Sequence, residues 1–230
     1  MKIIWLGHAS LRIEIGDQVL LIDPWLDGNP AFPDGLRGAA LAGVTAILVT
    51  HAHGDHASEV PQIARETGAP VYGIVELMNW WDKTEGLDTT GFNRGGTVAL
   101  GDVRVTMVNA THSSAITTED GPLYMGGESG FMIRGEGRTI YVSGDTDIMA
   151  DMAWMGEYHR PDIGILSAGG HFTMDMEMAA FVATKYFNFT TVIPYHYKTF
   201  PLLAQSAKPL IEALPGTDVR EPEVMQAIDI

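Results

Sequence analysis

Short apolar runs separated by turn residues dominate the first fifty positions of the chain. The runs cover residues 2–6, 10–15, 18–23 and 45–50, and each is rich in β-branched or aliphatic side chains. Runs of this length that are bounded by Gly, Asp or Pro are typical of β-strands. Gly16 and Asp17 separate the second run from the third and predict a hairpin turn. We therefore expect the chain to begin with strands.

Helical and strand-like patterns alternate along the rest of the chain. The spacing of apolar residues predicts helices over residues 57–67 and 75–83, the first of them closed by Gly68. A second strand-rich block is predicted at residues 97–100, 103–109, 129–134 and 139–143. Beyond it, the pattern predicts helices at 147–157, 174–186 and 207–214 and strands at 162–167 and 191–195. Because no low-complexity linker interrupts this order, we expect one α/β domain over residues 1–230 with an αββα-like arrangement.

Composition and charge exclude several classes of function. The 230 residues include 14 Lys and Arg against 29 Asp and Glu, which gives a formal charge of −15. Repulsion therefore disfavours long nucleic acid or an anionic membrane as the main partner. No apolar stretch approaches the roughly 18–20 residues that span a bilayer, and Gly7 and His8 interrupt the start before a signal-peptide core forms. We expect a soluble, cytoplasmic protein whose partner is a small-molecule substrate.

The strongest chemical signal is the segment THAHGDH at residues 50–56, which directly follows an apolar run. His51 and His53 are two positions apart, so in extended backbone their side chains project to the same side. Gly54 allows a sharp turn that brings Asp55 and His56 around the same space. The chain has no Cys, so any metal site must be built from His and carboxylate groups. A solvated loop is the alternative, but three of the eight histidines fall within these seven positions.

Three further candidate ligands each follow a predicted strand. They are His112, Asp145 and His196. Taken singly, each is weak evidence, because a lone His or Asp after a strand is more often an ordinary turn residue. Because strand ends in a packed α/β fold converge on one edge, residues that are distant in sequence can meet there. The three segments therefore strengthen the case for a metal site.

The combined segments resemble the metallo-β-lactamase superfamily over nearly the whole chain. The resemblance is carried by IIWLGHAS, LLIDPWLDGNP and HAHGDH, followed by THS, GDT and YHY in that order. It is strongest to a branch of small metal-dependent hydrolases, some of which open sugar-derived lactones. The resemblance implies a four-layer αββα sandwich with metal ions at one edge of its two sheets.

The resemblance also implies a ligand set for two divalent metal ions. Carried over by position, His51, His53 and His112 hold one metal, Asp55, His56 and His196 hold the second, and Asp145 bridges them. Asp23 corresponds to a buried acidic residue that hydrogen-bonds the histidine motif. Zinc suits the imidazole-rich site best, and manganese or iron is also compatible with the carboxylate-containing one. Iron oxidoreductases of the superfamily carry Glu where this chain has His53, so hydrolysis is favoured.

These assignments give Asp55, Asp145 and His171 candidate catalytic roles. Water between the two metals would be acidified and attack a carbonyl or phosphoryl centre, with Asp55 orienting it or passing its proton to the leaving group. His171, in a glycine-rich turn, is a candidate hydrogen-bond donor to the substrate. The alternative is a loop histidine just before a helix that Thr173 caps.

Several other residues allow two interpretations. His8 either supports the metal ligands or sits in a simple turn, and Lys198 either binds an anionic substrate or is solvated. His159 is expected in a surface turn. The methionines at 149–155 and 174–178 are expected to pack in the core. Six aromatic residues are expected either to line a pocket or to fill the core, namely Trp25, Trp80, Trp81, Phe92, Tyr195 and Tyr197.

We therefore predict an enzyme, a metal-dependent hydrolase of a small metabolite with an ester or lactone bond. The first alternative is a phosphodiesterase or nuclease with the same dinuclear centre, because paired metals also stabilise phosphoryl transfer. The second is a non-catalytic metal-binding sensor. The sequence leaves the oligomeric state open and is compatible with a homo-oligomer.

Overall fold

Two seven-stranded sheets form the middle of the fold in this computed structural model, which describes residues 1–230. The first sheet has the spatial order β16-β1-β2-β3-β4-β5-β6. Its strands are β1 Lys2–Trp5, β2 Leu11–Ile15, β3 Gln18–Ile22, β4 Ala46–Leu48, β5 Val71–Ile74, β6 Thr89–Phe92 and β16 Ala227–Asp229. Strands β1 to β3 are antiparallel, whereas β3 to β6 are parallel.

The second sheet has the spatial order β15-β14-β13-β12-β11-β8-β7. Its strands are β7 Thr97–Leu100, β8 Val103–Asn109, β11 Ser129–Gly135, β12 Arg138–Val142, β13 Ile163–Ser167, β14 Thr191–Tyr195 and β15 Asp218–Val219. A separate hairpin is formed by β9 Ala115–Thr118 and β10 Gly121–Tyr124. Every residue of β13 and β14 is buried, as expected for parallel strands that are covered on both faces.

The helices lie outside the two sheets. They are α1 Arg37–Leu41, α2 Gly54–Ala57, α3 Val60–Thr67, α4 Val75–Glu85, α5 Met152–His159, α6 Met176–Tyr186 and α7 Lys208–Ala213. Helix α4 packs on β5 and β6, and α6 packs on β13 and contacts both α5 and α7. Between the sheets, Phe92 stacks on Phe131 with ring centroids 6.2 Å apart. The predicted four-layer αββα sandwich is confirmed.

Differences from the predicted elements have local physical causes. The helix predicted at 57–67 is interrupted before Val60, because Pro61 lacks a backbone N–H and fits only the first turn of a helix. The helix predicted at 147–157 begins only at Met152, because the Asp147 side chain accepts from Ile148 N within a loop. Asp175, and not Thr173, caps α6 by accepting a hydrogen bond from Met178 N at 2.8 Å.

The apolar residues of both sheets and their helices form one hydrophobic cluster of 63 buried residues. Met149, Met152, Met155, Met174 and Met176 belong to it, which confirms their predicted packing role. None of the seven helices is long and apolar enough to cross a lipid bilayer.

Candidate metal centre

The four candidate ligand segments meet at one edge of the sandwich. Strand β4 leads into His51, and β14 leads directly into His196. Ring centroids lie 4.1 Å apart for His51 and His56 and 5.6 Å apart for His56 and His196. His112, which follows β8, lies 5.2 Å from His51 by the same measure. The fold therefore brings together residues separated by as much as 145 positions in sequence, counted from 51 to 196.

We call the group formed by His51, His53 and His112 the imidazole half of this cluster. His51 Nε2 lies 3.0 Å from His53 Nδ1, and the rings of His53 and His112 are 5.0 Å apart. Burial lowers the pKa of all three below the usual histidine value, and the neighbouring rings add to the effect for His53. At neutral pH this half therefore offers uncharged imidazoles, the form that binds metal ions.

The carboxylate half consists of Asp55, His56 and His196. Asp55 Oδ2 lies 3.5 Å from His56 Nε2 and 3.6 Å from His196 Nε2. Burial acts to lower the pKa of His196, but Asp145 and Asp55 outweigh it and raise the pKa to about 9. The same carboxylates raise the pKa of His56 well above its usual range, again against burial. Negative charge from the partly buried Asp55 and from the buried Asp145 beside it therefore attracts a cation to the carboxylate half.

Asp145 lies between the two halves and is almost fully buried. Its Oδ2 atom is 3.0 Å from His196 Nε2, 3.4 Å from His56 Nε2 and 3.6 Å from His112 Nε2. Burial acts to raise the pKa of this carboxyl, but His196 and His56 hold it well below its usual value. One carboxylate oxygen thus approaches imidazoles from both halves.

The donor atoms fit a metal ion because several of them are buried without any hydrogen-bond partner. These atoms are His56 Nε2, Asp145 Oδ1 and both ring nitrogens of His196; the ion-pair contacts of the two Nε2 atoms with Asp145 Oδ2 lack hydrogen-bond geometry. Leaving a buried polar atom unpaired costs about 1–3 kcal/mol, so such a concentration needs a compensating ligand. Groups of His and Asp ligand atoms lie within 4.8 Å of one another in both halves. Imidazole nitrogen and carboxylate oxygen are ligands that zinc, manganese and iron accept.

Asp23 holds His56 in place from the side opposite the cluster. It is fully buried and accepts from Thr50 N at 2.7 Å, from Thr50 Oγ1 at 2.5 Å and from His56 Nδ1 at 2.8 Å. Because a carboxylate only accepts, His56 Nδ1 donates to Asp23, and Nε2 is the ring nitrogen that faces the cluster. Asp23 also adopts a left-handed backbone with φ of 48°, which is strained for a residue other than Gly.

His8 contacts the carboxylate half. Its Nε2 lies 2.8 Å from Asp55 Oδ2, and its Nδ1 lies 2.9 Å from Thr199 Oγ1. Trp25 and Phe200 pack edge-on against the imidazole, each at 5.5 Å. Burial lowers the pKa of His8 to about 4 despite the hydrogen bond with Asp55. His8 is therefore a neutral, well-packed donor to Asp55.

Other sequence-predicted residues lie outside this cluster. His171 is exposed with a left-handed backbone, and its ring lies 4.5 Å from that of Phe172. Lys198 forms an ion pair with Glu221 at 2.6 Å, so it is neither free nor simply solvated. The prediction for His159 is wrong, because it ends α5 and is buried against Trp154 and Tyr158.

The predicted aromatic residues divide between core and rim. Trp81, Phe92, Tyr195 and Tyr197 are buried, and Tyr197 stacks on Trp5, so these four do not line an open pocket. Trp80 is exposed on α4. Trp25 is half-buried beside the candidate metal centre, and its ring lies 6.3 Å from that of Phe200.

Sequence reasoning missed the residues that position the imidazole half. Glu128 Oε1 accepts from His112 N at 3.0 Å, and Ser114 Oγ accepts from Ala52 N at 3.2 Å. No short motif marks either residue, because each acts across a long sequence separation. Two glycines near candidate ligands are visible in the sequence and indicate tightly packed loops. A Cβ atom added to Gly144 would lie 2.2 Å from Ser129 O, and one added to Gly169 would lie 2.0 Å from His196 O. Close backbone contact therefore fixes the loops that carry Asp145 and His196.

Comparison with known proteins gives a consistent family. A family model described as "Beta-lactamase superfamily domain" matches residues 18–197. A protein of Dinoroseobacter shibae named "UPF0173 metal-dependent hydrolase" is 65% identical over 230 residues, which is 100% of both chains. The structure of Igni18, described as a novel metallo hydrolase from Ignicoccus hospitalis KIN4/I, has a TM-score of 0.85 at 31% identity, covering 99% of this chain and 97% of that one.

A more distant structural likeness concerns the fold alone. The isothiocyanate hydrolase from Delia radicum gut bacteria has a TM-score of 0.77 at 18% identity, with 100% of this chain and 99% of that chain covered. The family model and the full-length relative are the stronger findings, since together they span the whole of the cluster described above. The chain therefore belongs to the beta-lactamase superfamily and, within it, to the family of UPF0173 metal-dependent hydrolases.

Proposed function

We propose that this chain hydrolyses an ester or lactone bond of a small metabolite at a dinuclear metal centre. The observation that carries the proposal is the position of Asp145 Oδ2, which lies within 3.6 Å of imidazole nitrogens from both halves of the cluster. A carboxylate in this position is suited to bridge two cations. The two halves then each supply three further ligands.

In this proposal His51, His53 and His112 hold one ion and Asp55, His56 and His196 hold the other. Zinc is our first choice, because the imidazole half offers three uncharged nitrogens. Manganese or iron also suits the carboxylate half. When bound, two divalent ions supply Lewis acidity at the substrate carbonyl and lower the pKa of water in the centre.

Asp55 has the geometry to orient the attacking water. Burial acts to raise its pKa, but His56, His196 and His8 outweigh it and hold the carboxyl well below its usual value. Asp55 therefore stays ionised and acts as an acceptor. About a third of its side chain is exposed, so solvent reaches it, whereas Asp145 is closed off. His8 fixes the Asp55 side chain by donating from Nε2, and Thr199 fixes His8 in turn.

The surroundings of the centre favour an acyl substrate over a phosphodiester. Lys198, the basic residue nearest in sequence to a proposed ligand, is neutralised by Glu221. Trp25 and Phe200 instead present apolar rings beside His8. A phosphodiester usually meets Arg or Lys in addition to metal ions, because its charge persists through the reaction. A neutral ester or lactone needs no such cation.

His171 is proposed as a hydrogen-bond donor to the substrate, since its loop adjoins the segment that carries His196. Gly169 approaches the His196 carbonyl, and Ala204 N donates to the Gly169 carbonyl at 2.9 Å. His171 itself is exposed. It is therefore free to meet a substrate.

The proposal is tested by assaying the zinc-loaded protein in parallel on chromogenic carboxylic esters, lactones and phosphodiesters. We expect turnover of an ester or lactone, and we expect Asp145→Asn to reduce kcat by at least about a thousandfold because the centre loses its shared carboxylate. Asp147→Asn, an exposed aspartate two positions away, is the matched control and should retain activity. His171→Ala should lower kcat without changing the zinc content.

Each alternative has a distinct outcome in the same panel. Turnover of the phosphodiester alone would replace the acyl proposal with the phosphodiesterase one. Zinc binding with no turnover on any substrate would support a sensor. Full activity of Asp145→Asn, with unchanged zinc content, would remove the dinuclear assignment.

A further inference from the structure

A cleft on the outer face of the second sheet has the features of a separate ligand site. Its volume is about 450 Å³, within the range of small-molecule pockets. Strands β7, β8 and β11 form its floor, and α5 forms one wall. Arg104 lies near the start of β8, whereas His112 follows the other end of that strand. Five strand residues alone separate them by about 17 Å, so the cleft is not part of the metal centre.

Two arginines lie side by side on the floor of this cleft. Arg134 on β11 pairs directly with Arg104 on β8 in the strand register, and both line the cavity. Like charges directly opposite one another on adjacent strands are destabilising. The Arg134 guanidinium forms no ion pair or hydrogen bond within the chain, and the Arg104 guanidinium donates only to the Gly101 carbonyl at 3.2 Å. The chain has about twice as many acidic as basic residues, yet these two neighbouring guanidinium groups are not neutralised. Their charge therefore favours binding of an anion.

No acidic residue lines the cleft, so the guanidinium charges are not balanced from its other walls. Thr97 and Thr106 also lie on the floor, but their hydroxyl groups bond each other at 2.7 Å. A guanidinium fork matches the oxygens of phosphate or carboxylate. Two of them together match a doubly charged phosphate better than a single carboxylate.

Aromatic side chains form the wall of the cleft that α5 contributes. Trp154 and Tyr158 are four positions apart on the same helix face, and 47% and 76% of their respective surfaces are exposed. His159 closes the wall, with its ring 4.9 Å from Tyr158 and 6.0 Å from Trp154. An exposed Trp and Tyr beside a positively charged floor are suited to stack on a flat ring.

We propose that this cleft binds a phosphorylated aromatic compound of the nucleoside monophosphate class. The phosphate lies between Arg104 and Arg134, and the base stacks on Trp154 or Tyr158. The site requires neither the metal centre nor its hydrolytic activity. It therefore gives this acidic protein a way to bind an anionic metabolite at a second location.

Calorimetric titration of the zinc-loaded protein tests the proposal with three probes, namely AMP, adenosine and inorganic phosphate. We expect AMP to bind at least about tenfold more tightly than either of the other two, because each of them lacks one half of the recognition. Arg104→Gln with Arg134→Gln should abolish this binding. Arg138→Gln is the matched control: Arg138 lies on the neighbouring strand β12 outside the cleft, and it faces Asp162 at 3.7 Å.

Two further variants keep the test decisive if the double variant fails to fold. Arg134→Gln alone should weaken AMP binding about tenfold, and Trp154→Leu should weaken AMP without affecting phosphate. Unchanged AMP binding in the arginine variants would place AMP outside this cleft and overturn the proposal. Absence of AMP binding, together with a dimer in sedimentation velocity that Trp154→Leu dissociates, would also overturn it by assigning this face to a second copy of the chain.

Discussion

The two halves of the candidate metal centre differ in charge and burial, although they are adjacent. In the imidazole half, His53 and His112 are only half-buried and all three pKa values are lowered. In the carboxylate half, His56 and His196 are fully buried and their pKa values are raised by Asp55 and Asp145. The first half offers neutral ligands, whereas the second contains negative charge that needs a positive partner.

This difference indicates how each half behaves without metal. Removing a cation from neutral imidazoles costs the fold little stability, because water can replace the cation in a half-exposed site. Buried carboxylates must be compensated by protonated histidines, since an unpaired buried charge costs several kcal/mol. The carboxylate half should therefore govern how strongly metal binding and folding are coupled.

The largest expected effect is that of metal removal. At a free zinc concentration about a hundredfold above each Kd, two sites contribute roughly 5 kcal/mol to the free energy of unfolding. Chelation should therefore lower the melting temperature by about 10–20 °C for a chain of this size. Scanning calorimetry with and without EDTA measures the shift, with elemental analysis to confirm removal. An unchanged melting temperature in fully metal-free protein would contradict the proposed centre.

An intermediate effect is expected from pH in the metal-free protein. The pKa of His196 is raised to about 9, above its unfolded value, so its stabilising contribution is complete below about pH 6.5 and is lost as the pH rises through 9. The imidazole half acts in the opposite direction, because lowered pKa values remove stability as the pH falls below 6.5. Melting temperatures from pH 5 to 10 should thus fall on both sides of neutrality.

Two variants, His196→Ala and His53→Ala, separate the contributions of the two halves when they are measured over the same pH range. The alkaline decrease should be smaller in His196→Ala and should persist in His53→Ala. An equal alkaline decrease in both variants would show that His196 does not carry it.

The smallest expected effect is that of Asp23→Asn. The amide keeps the shape but no longer holds His56 by a charged hydrogen bond, which costs about 1–3 kcal/mol of stability. Loss of such an outer partner typically weakens metal affinity about 10–100-fold. At a free zinc concentration about tenfold above the wild-type Kd values, we expect bound zinc to fall from about two to about one per chain, with the carboxylate half losing its ion. Asp27→Asn, on the exposed side of the same loop, should retain both ions.

Particular residues show how far the sequence can be read. The motif at 50–56 and the strand-end positions of His112, Asp145 and His196 identified side chains that the fold brings together, because ligand identity and strand endings are both local properties. Glu128 and Ser114 were missed, since each acts through one long-range hydrogen bond. The prediction for His159 was wrong because its burial depends on the packing of α5, and a following Arg-Pro pair resembles a turn. A single domain over residues 1–230 and the metal-ligand roles stay predictions.

The sequence by itself determined the α/β class of the fold, the exclusion of thiolate ligands and the set of imidazole and carboxylate groups available for a metal site. These follow from composition, spacing and the alternation of strands and helices. Only the tertiary structure decided which histidines share Asp145, that Lys198 is neutralised by Glu221 and that Arg104 opposes Arg134. The physical reason is that charge and burial at a site are set by neighbours from distant parts of the chain, which no local pattern specifies.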